Sequence, residues 1–280
     1  MKRFVSKSVF GAIALSLALV SCEKDNQVVE EAAIDAELQK VQSHAASLGY
    51  KAQDATIAPF HFPDGTVEDR VYLEGDIAIS PEEFFAMEQV SDLEKQFRTN
   101  NLVTGSNRTI DIIGYTGGGG FGLTNTQRTA LQWAVNNYNR INNMSLNFRL
   151  TYGTNYQSKD IVVYRNPNNS NAGGSAGFPS NGRPNKFVQI WTGLDSANTN
   201  VNEHVITHEI GHSVGFRHSD FFSRQSCGQN TNEGSAGVGA NFIPGTVNGW
   251  DPSSLMNACF SFSTNGEFNG NDVRALQTIY

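Results

Sequence analysis

The segment from His208 to His218 restricts what this chain can fold into more than any other stretch. It reads His208-Glu209-Ile210-Gly211-His212-Ser213-Val214-Gly215-Phe216-Arg217-His218. On a helix, residues four apart share a face, so His208 and His212 can present two imidazoles to one point. Glu209 projects beside them. Gly215 tolerates positive φ, so the helix can stop and the chain can turn back sharply. His218 then arrives from the loop as a third nitrogen donor. Three nitrogen ligands with one open position is the arrangement of a catalytic zinc site, because a structural site is closed by a fourth protein ligand. With this composition, the five fixed residues of the pattern would arise by chance on the order of 10⁻⁵ times per chain, so incidental histidines are a poor explanation. Three of the six histidines lie in this one motif.

Charge divides the chain into three parts. The formal net charge is −7. Residues 1–22 carry three basic groups and no acid, residues 23–97 carry 17 acids against five bases, and the remainder carries 10 acids against 12 bases. No basic stripe is present and the largest charge block is negative, which argues against nucleic-acid binding. The one long apolar run sits at the N-terminus and is too short to span a bilayer.

Lys2, Arg3 and Lys7 precede an apolar stretch from Val9 to Val20, the pattern of an export signal. It ends Leu19-Val20-Ser21-Cys22. That ending resembles the lipobox of bacterial lipoproteins, which implies cleavage after residue 21, a lipid on Cys22 and membrane anchoring through it. Glu23-Lys24-Asp25 resembles tags that send lipoproteins to the outer surface; a solvated linker is the plainer reading. The expected location is therefore the outer membrane or cell surface, with a catalytic part that can be released. Cys227 and Cys259 remain. Oxidising surroundings and an even count predict a disulfide, with two buried thiols as the other reading.

Periodicity organises the rest. Asp25 to about Gly49 reads as an acidic helix, and Arg70–Ile79 as a strand. Ser80-Pro81-Glu82-Glu83 reads as a helix start, with Ser80 as N-cap and Pro81 in the first position, for a helix running to about Phe97. These make a small α+β unit. Asn100–Asn107 reads as a linker. From residue 108, strands are expected at Ile110–Ile113, Leu146–Tyr152, Ile161–Tyr164 and Phe187–Trp191. Helices are expected at Thr124–Ile141, Asn200–Val214 and Asn269–Tyr280. Asn166–Asn185 and Asn230–Gly249 read as long loops. Gly117–Gly120 is a turn and not a phosphate loop, because no Gly-Lys-Ser/Thr follows. No internal repeat suggests a lectin, and a monomer is expected.

The pattern HExxHxxGxxH resembles the metzincin clan of zinc peptidases. Such a family implies a Met-turn beneath the metal, and Ser254-Leu255-Met256-Asn257 fits. The wording His-Glu-Ile-Gly-His, followed by His218-Ser219-Asp220-Phe221-Phe222, is most similar to the bacterial lipoprotein family called dual-action HEIGH metallopeptidases. The resemblance covers roughly residues 108–280. It implies an α+β fold: a metzincin-like catalytic domain with a twisted mixed sheet, an edge strand over the cleft, an active-site helix, the Met-turn and a C-terminal helix, preceded by a small α+β prosegment. It also implies one catalytic Zn²⁺ on His208, His212 and His218, and a peptide or protein substrate. Structural Ca²⁺ is conceivable by family resemblance alone. Where some metzincins carry a Tyr two residues after the Met, this chain has Ala258, so no switchable Tyr ligand is expected. Asp220 is out of register as a ligand and is expected to support the ligands. His204 reads as an ordinary helix histidine.

Glu209 is then the general base that takes a proton from the attacking water and returns it to the departing amine. The strand Phe187, Val188, Gln189, Ile190, Trp191 is expected at the sheet edge, where an extended substrate could pair with it. Residues 22–107 read as an acidic prosegment with linker, and residues 108–280 as the catalytic domain, separated by cleavage between Phe97 and Arg108. Leu73-Glu74-Gly75-Asp76-Ile77 resembles the inhibitory element of astacin-type propeptides, which implies Asp76 as a plug in the open zinc position. A Gly-Asp turn between two strand halves is the equal alternative. The competing functional readings are a zinc-retaining but non-hydrolytic surface-binding lipoprotein and a surface adhesin.

Overall fold

The fold was obtained as a computed structural model that describes residues 20–88, 97–234, 239–247 and 249–280; side chains of residues 20–33 within the first helix are not described. The stretch before residue 20 that reads as an export signal, and the side chain of Cys22, therefore lie outside the described residues. The chain forms two units, Met1–Lys40 and Val41–Tyr280. Helix α1 (Val20–Ser47) supplies the described part of the first unit. No described helix is long and apolar enough to cross a membrane.

The second unit is mixed α+β. Strands β1 (Thr56–His61), β2 (Val67–Leu73) and β3 (Ile77–Ile79) form an antiparallel sheet in that order. Val41, Ala45 and Leu48 follow helical spacing and are buried with Val71, Leu73, Ile77 and Phe84. The strand expected over Arg70–Ile79 is instead a hairpin, with Leu73 opposite Ile77. Glu74 (φ 59°) and Gly75 (φ 101°) both take left-handed backbone there, which turns the chain. Ser80 caps α2 (Pro81–Phe85) by accepting from the Glu83 N–H. Expected to reach Phe97, this helix ends at Phe85; residues 89–96 are outside the described set.

The main sheet has five strands in the order β6-β5-β7-β9-β8. Strands β5 (Thr109–Tyr115), β6 (Asn147–Gly153), β7 (Ile161–Asn166) and β9 (Phe187–Trp191) run parallel, and the short β8 (Gly174–Ser175) is antiparallel to β9. Two-residue alternation sorts the faces. Ile110, Ile112, Ile161, Val163, Val188 and Ile190 bury against helices α3 (Asn125–Asn139) and α4 (Thr199–Ser213). Ile113, Tyr115, Val162 and Tyr164 form the opposite core with Phe187, onto which Phe60 and Phe62 pack. Helix α3 starts with a full capping box from Thr124 and Gln127. Helix α5 (Gly270–Ile279) closes the chain.

Two further expectations change. Strand β9 is not the edge: Gln189 and Ile190 pair with β8 on one side and with β7 on the other. The loop read over Asn166–Asn185 hides this two-residue strand, too short for periodicity to reveal. The stretch read as linker is built into the fold. Strand β4 (Phe97–Arg98) pairs with β10 (Asn241–Phe242), the Thr99 N–H donates to Gly215, and the buried Val103 donates to the Tyr280 hydroxyl.

Candidate active site

Helix α4 is buried along nearly its whole length, which is unusual for a helix carrying so many polar residues, so each polar group needs a partner. The helix ends in a Schellman motif: the Gly215 N–H donates to His212 and the Phe216 N–H to Gly211, with Gly215 at φ 108°. That reversal places the Phe216 carbonyl 2.8 Å from His212 Nδ1. His208 Nδ1 lies 3.0 Å from the Leu255 carbonyl. His218 Nδ1 lies 3.0 and 3.1 Å from the two oxygens of Glu233. Each Nδ1 thus has an acceptor outside the group, which leaves the three Nε2 atoms facing inward.

The inward atoms converge. His208 and His212 Nε2 are 2.9 Å apart, and Asp76 Oδ2 stands 3.0 Å from His218 Nε2, 3.5 Å from His208 Nε2 and 3.9 Å from His212 Nε2. The four donor atoms lie within 4.8 Å of one another. Lone pairs and a carboxylate oxygen aimed at one point repel unless a cation sits among them. Three imidazoles and one carboxylate match the preferences of zinc. Burial lowers His212 well below its ordinary range, with His208 adding to this. Burial opposes charge on His218 as well, but the Asp76 and Glu233 carboxylates outweigh it and raise this group well above the ordinary value. Asp76 is held well below the carboxylate range, against its own burial, chiefly by His218. Positive charge is thus favoured at His218 and disfavoured at His212.

Glu209 is 2% exposed, and its Oε2 has no hydrogen-bond partner. Burial, reinforced by the Asp76 charge, pushes its carboxyl well above the usual value. It lines a cavity of about 160 Å³ together with Asp76, Gly174, Trp191, His204 and His208.

Met256 is buried, and its sulfur packs on Gly211: a Cβ on that glycine would lie 2.6 Å from Met256 Sδ. The Met256 carbonyl accepts from the Ser219 N–H at 2.7 Å, tying the turn to the segment after His218. Asp220 touches no imidazole donor; it accepts from the backbone N–H groups of Ser226 and Ala258, holding two loops together. His204 stays outside the donor group. Its Nδ1 meets the Thr264 hydroxyl at 3.0 Å, and burial lowers it to about 3, so it is neutral. Cys227 and Cys259 form a disulfide. Both candidate metal-holding groups among the described residues contain a histidine, a poor match to the all-oxygen shell of calcium.

Of the strand Phe187–Trp191, only Trp191 lines the cavity. Val188 and Ile190 are core, and Gln189 is bonded to Asn166, Tyr164 and the His61 carbonyl. The outer edge is β8 and its continuation at Ala176. There Ile77 bridges Ala176 in parallel: Ala176 N–H donates to Asp76, and Ala78 N–H to Ala176.

Sequence reasoning missed the buried polar groups around this centre. Arg217 is fully buried and paired with Glu74, and Arg224 pairs with Glu233. Glu74 and Arg217 sit inside motifs already singled out, so adjacency was a usable signal. Glu233 lies in a glycine- and asparagine-rich loop that carries none.

The sequence profile of the family described as dual-action HEIGH metallo-peptidase matches residues 71–280. Two solved structures of myroilysin resemble the chain. One is 13% identical, covering 64% of this chain and 82% of that one with a TM-score of 0.41; the other is 14% identical, covering 73% and 98% with a TM-score of 0.40. No curated protein matches.

Proposed function

The chain belongs to the dual-action HEIGH metallo-peptidase family, so it is a metallopeptidase acting on peptide or protein substrates; from that premise we propose that it is an exported zinc endopeptidase of metzincin type, made as a latent lipoprotein precursor. The observation that carries this reading is the convergence of three Nε2 atoms and one carboxylate oxygen beside an unpartnered Glu209.

His208, His212 and His218 would hold the zinc. When bound, zinc supplies Lewis acidity, lowering the pKa of a water toward neutrality and polarising the scissile carbonyl. Glu209 accepts the attacking water's proton; its buried carboxyl, lifted above the ordinary range, then returns that proton to the departing amine. The substrate backbone pairs with the β8 edge at Gly174–Ala176 rather than with Phe187–Trp191, because β9 is paired on both sides whereas β8, beside Glu209, has no second sheet strand once Ile77 leaves. Met256 serves as the Met-turn residue, packed under the helix at Gly211.

Latency follows from the turn Glu74-Gly75-Asp76. Asp76 fills the position that substrate and water need, and the following residues occupy the substrate edge. The precursor runs from a signal at residues 1–21, through an acidic segment anchored at Cys22, to the catalytic domain. Activation removes the segment that carries Asp76. Cleavage falls before Phe97, because Phe97–Val103 is bonded into the catalytic core. The mature enzyme is monomeric and works at the cell surface or is released from it.

The test is protein cleavage by the processed chain, with and without a chelator, beside Glu209→Gln. Activity that chelation abolishes and zinc restores, and that the variant lacks while keeping its zinc, supports the reading. A zinc-loaded wild-type chain that cleaves nothing would return the non-hydrolytic binding lipoprotein.

A further inference from the structure

We propose that Glu233 is a positioning residue that orients His218 for the metal, an inference that rests on the zinc reading above. The other two ligand histidines are aligned by backbone carbonyls, Leu255 for His208 and Phe216 for His212. His218 alone depends on a side-chain carboxylate, delivered by a loop that comes after the motif. A carboxylate on the far nitrogen fixes the ring's tautomer and direction and makes the inner nitrogen a stronger donor.

The carboxylate is itself held. Glu233 is buried, its N–H donates to the Phe221 carbonyl at 2.7 Å, and its Oε1 takes the Arg224 guanidinium. Arg224 sits in left-handed backbone, and its N–H donates to the Asp220 carbonyl. Cys227, whose N–H donates to the Arg224 carbonyl, is bonded to Cys259 in the loop beyond Met256. The disulfide thus anchors a chain of contacts running from Arg224 through Glu233 to His218. Among the described residues one rival acceptor exists: Glu74 Oε2, 3.5 Å from His218 Nδ1. Glu74 is committed to Arg217 through its other oxygen and departs with the prosegment. Glu233 is the acceptor that the catalytic domain keeps.

The experiment compares the full chain with Glu233→Ala and Glu233→Gln. Zinc affinity is read by competition with a chromogenic chelator, ligand geometry by the visible absorption of the cobalt(II)-substituted protein, and folding by the unfolding midpoint. Glu233→Ala is expected to weaken zinc binding by about 10- to 100-fold and to shift the cobalt bands. Glu233→Gln, which keeps an acceptor oxygen without the charge, should lose less. A role confined to pairing with Arg224 would lower the unfolding midpoint and leave affinity and spectrum unchanged, and that result overturns the proposal. If Glu233→Ala fails to fold, Glu233→Gln decides by the same two readouts. A wild-type chain that takes no zinc would remove the zinc reading itself; zinc-binding wild type with unaffected variants would remove only this inference.

Discussion

Gly174 lies against Glu209 so closely that a Cβ there would stand 2.9 Å from Glu209 Cγ and 3.0 Å from its Oε1. The same methyl would meet the Gln189 carbonyl at 2.6 Å. The backbone of the edge strand is therefore packed directly against the Glu209 side chain, with no room for a methyl group between them. Gly174→Ala is expected to lower kcat by about 100-fold, the cost of an ångström-scale misplacement, while zinc content stays at wild-type level. Wild-type kcat would show that the contact does not set the position of Glu209.

Asp76 is expected to control access to the open metal position. Its removal takes away a charged contact of about 1.5–3 kcal/mol. Uncleaved Asp76→Ala should bind a small zinc-directed hydroxamate roughly tenfold or more tighter than the uncleaved wild type. Hydrolysis of proteins should recover less, because Ile77 and Ala78 still cover the edge at Ala176. Equal hydroxamate binding by the two chains would rule out the plug.

Asp272 ties α5 to the turn before Met256, accepting from the Leu255 N–H at 2.9 Å and the Ser254 hydroxyl at 2.7 Å. Burial lifts its carboxyl from 3.8 to about 6 against those hydrogen bonds. A raised acid holds its proton more tightly folded than unfolded, so this group's contribution to stability falls as pH rises from about 4 to about 6. Wild type should lose on the order of 2–3 kcal/mol relative to Asp272→Asn across that window, measured by denaturant unfolding at a series of pH values. Parallel pH profiles would contradict the shift.

The Cys227–Cys259 bond closes a loop with a sequence separation of 32. Cys227→Ser with Cys259→Ser is expected to cost about 3–4 kcal/mol by restoring freedom to the unfolded chain. Urea unfolding with and without reductant measures it. A reductant effect on wild type but not on the double variant completes the expectation.

Much of the site was legible because its signals are local. The four-residue spacing of His208 and His212 needs only a helix, and the stop at Gly215 needs only a residue free to take positive φ. Ser80 and Thr124 cap helices from their own neighbours. What escaped was non-local or very short. The two residues of β8 carry no periodicity, so Phe187–Trp191 took its place at the edge. The turn at Glu74 and Gly75 interrupts an alternation that otherwise reads as one strand. The pairing of Phe97–Arg98 with Asn241–Phe242 joins segments far apart in the chain.

The sequence by itself determined that His208 and His212 share a helix face with His218 following the turn at Gly215, and it carried the resemblance to the family, because helical geometry leaves one arrangement for that spacing. Only the tertiary structure decided what surrounds them. It set Glu233 behind His218, Glu74 on Arg217 and Gly174 against Glu209, and it seated Asp76 among three imidazoles. Those contacts join residues up to 143 positions apart. They exist because packing brings distant loops to one buried point, where most buried polar groups find partners and Glu209 Oε2 is left without one.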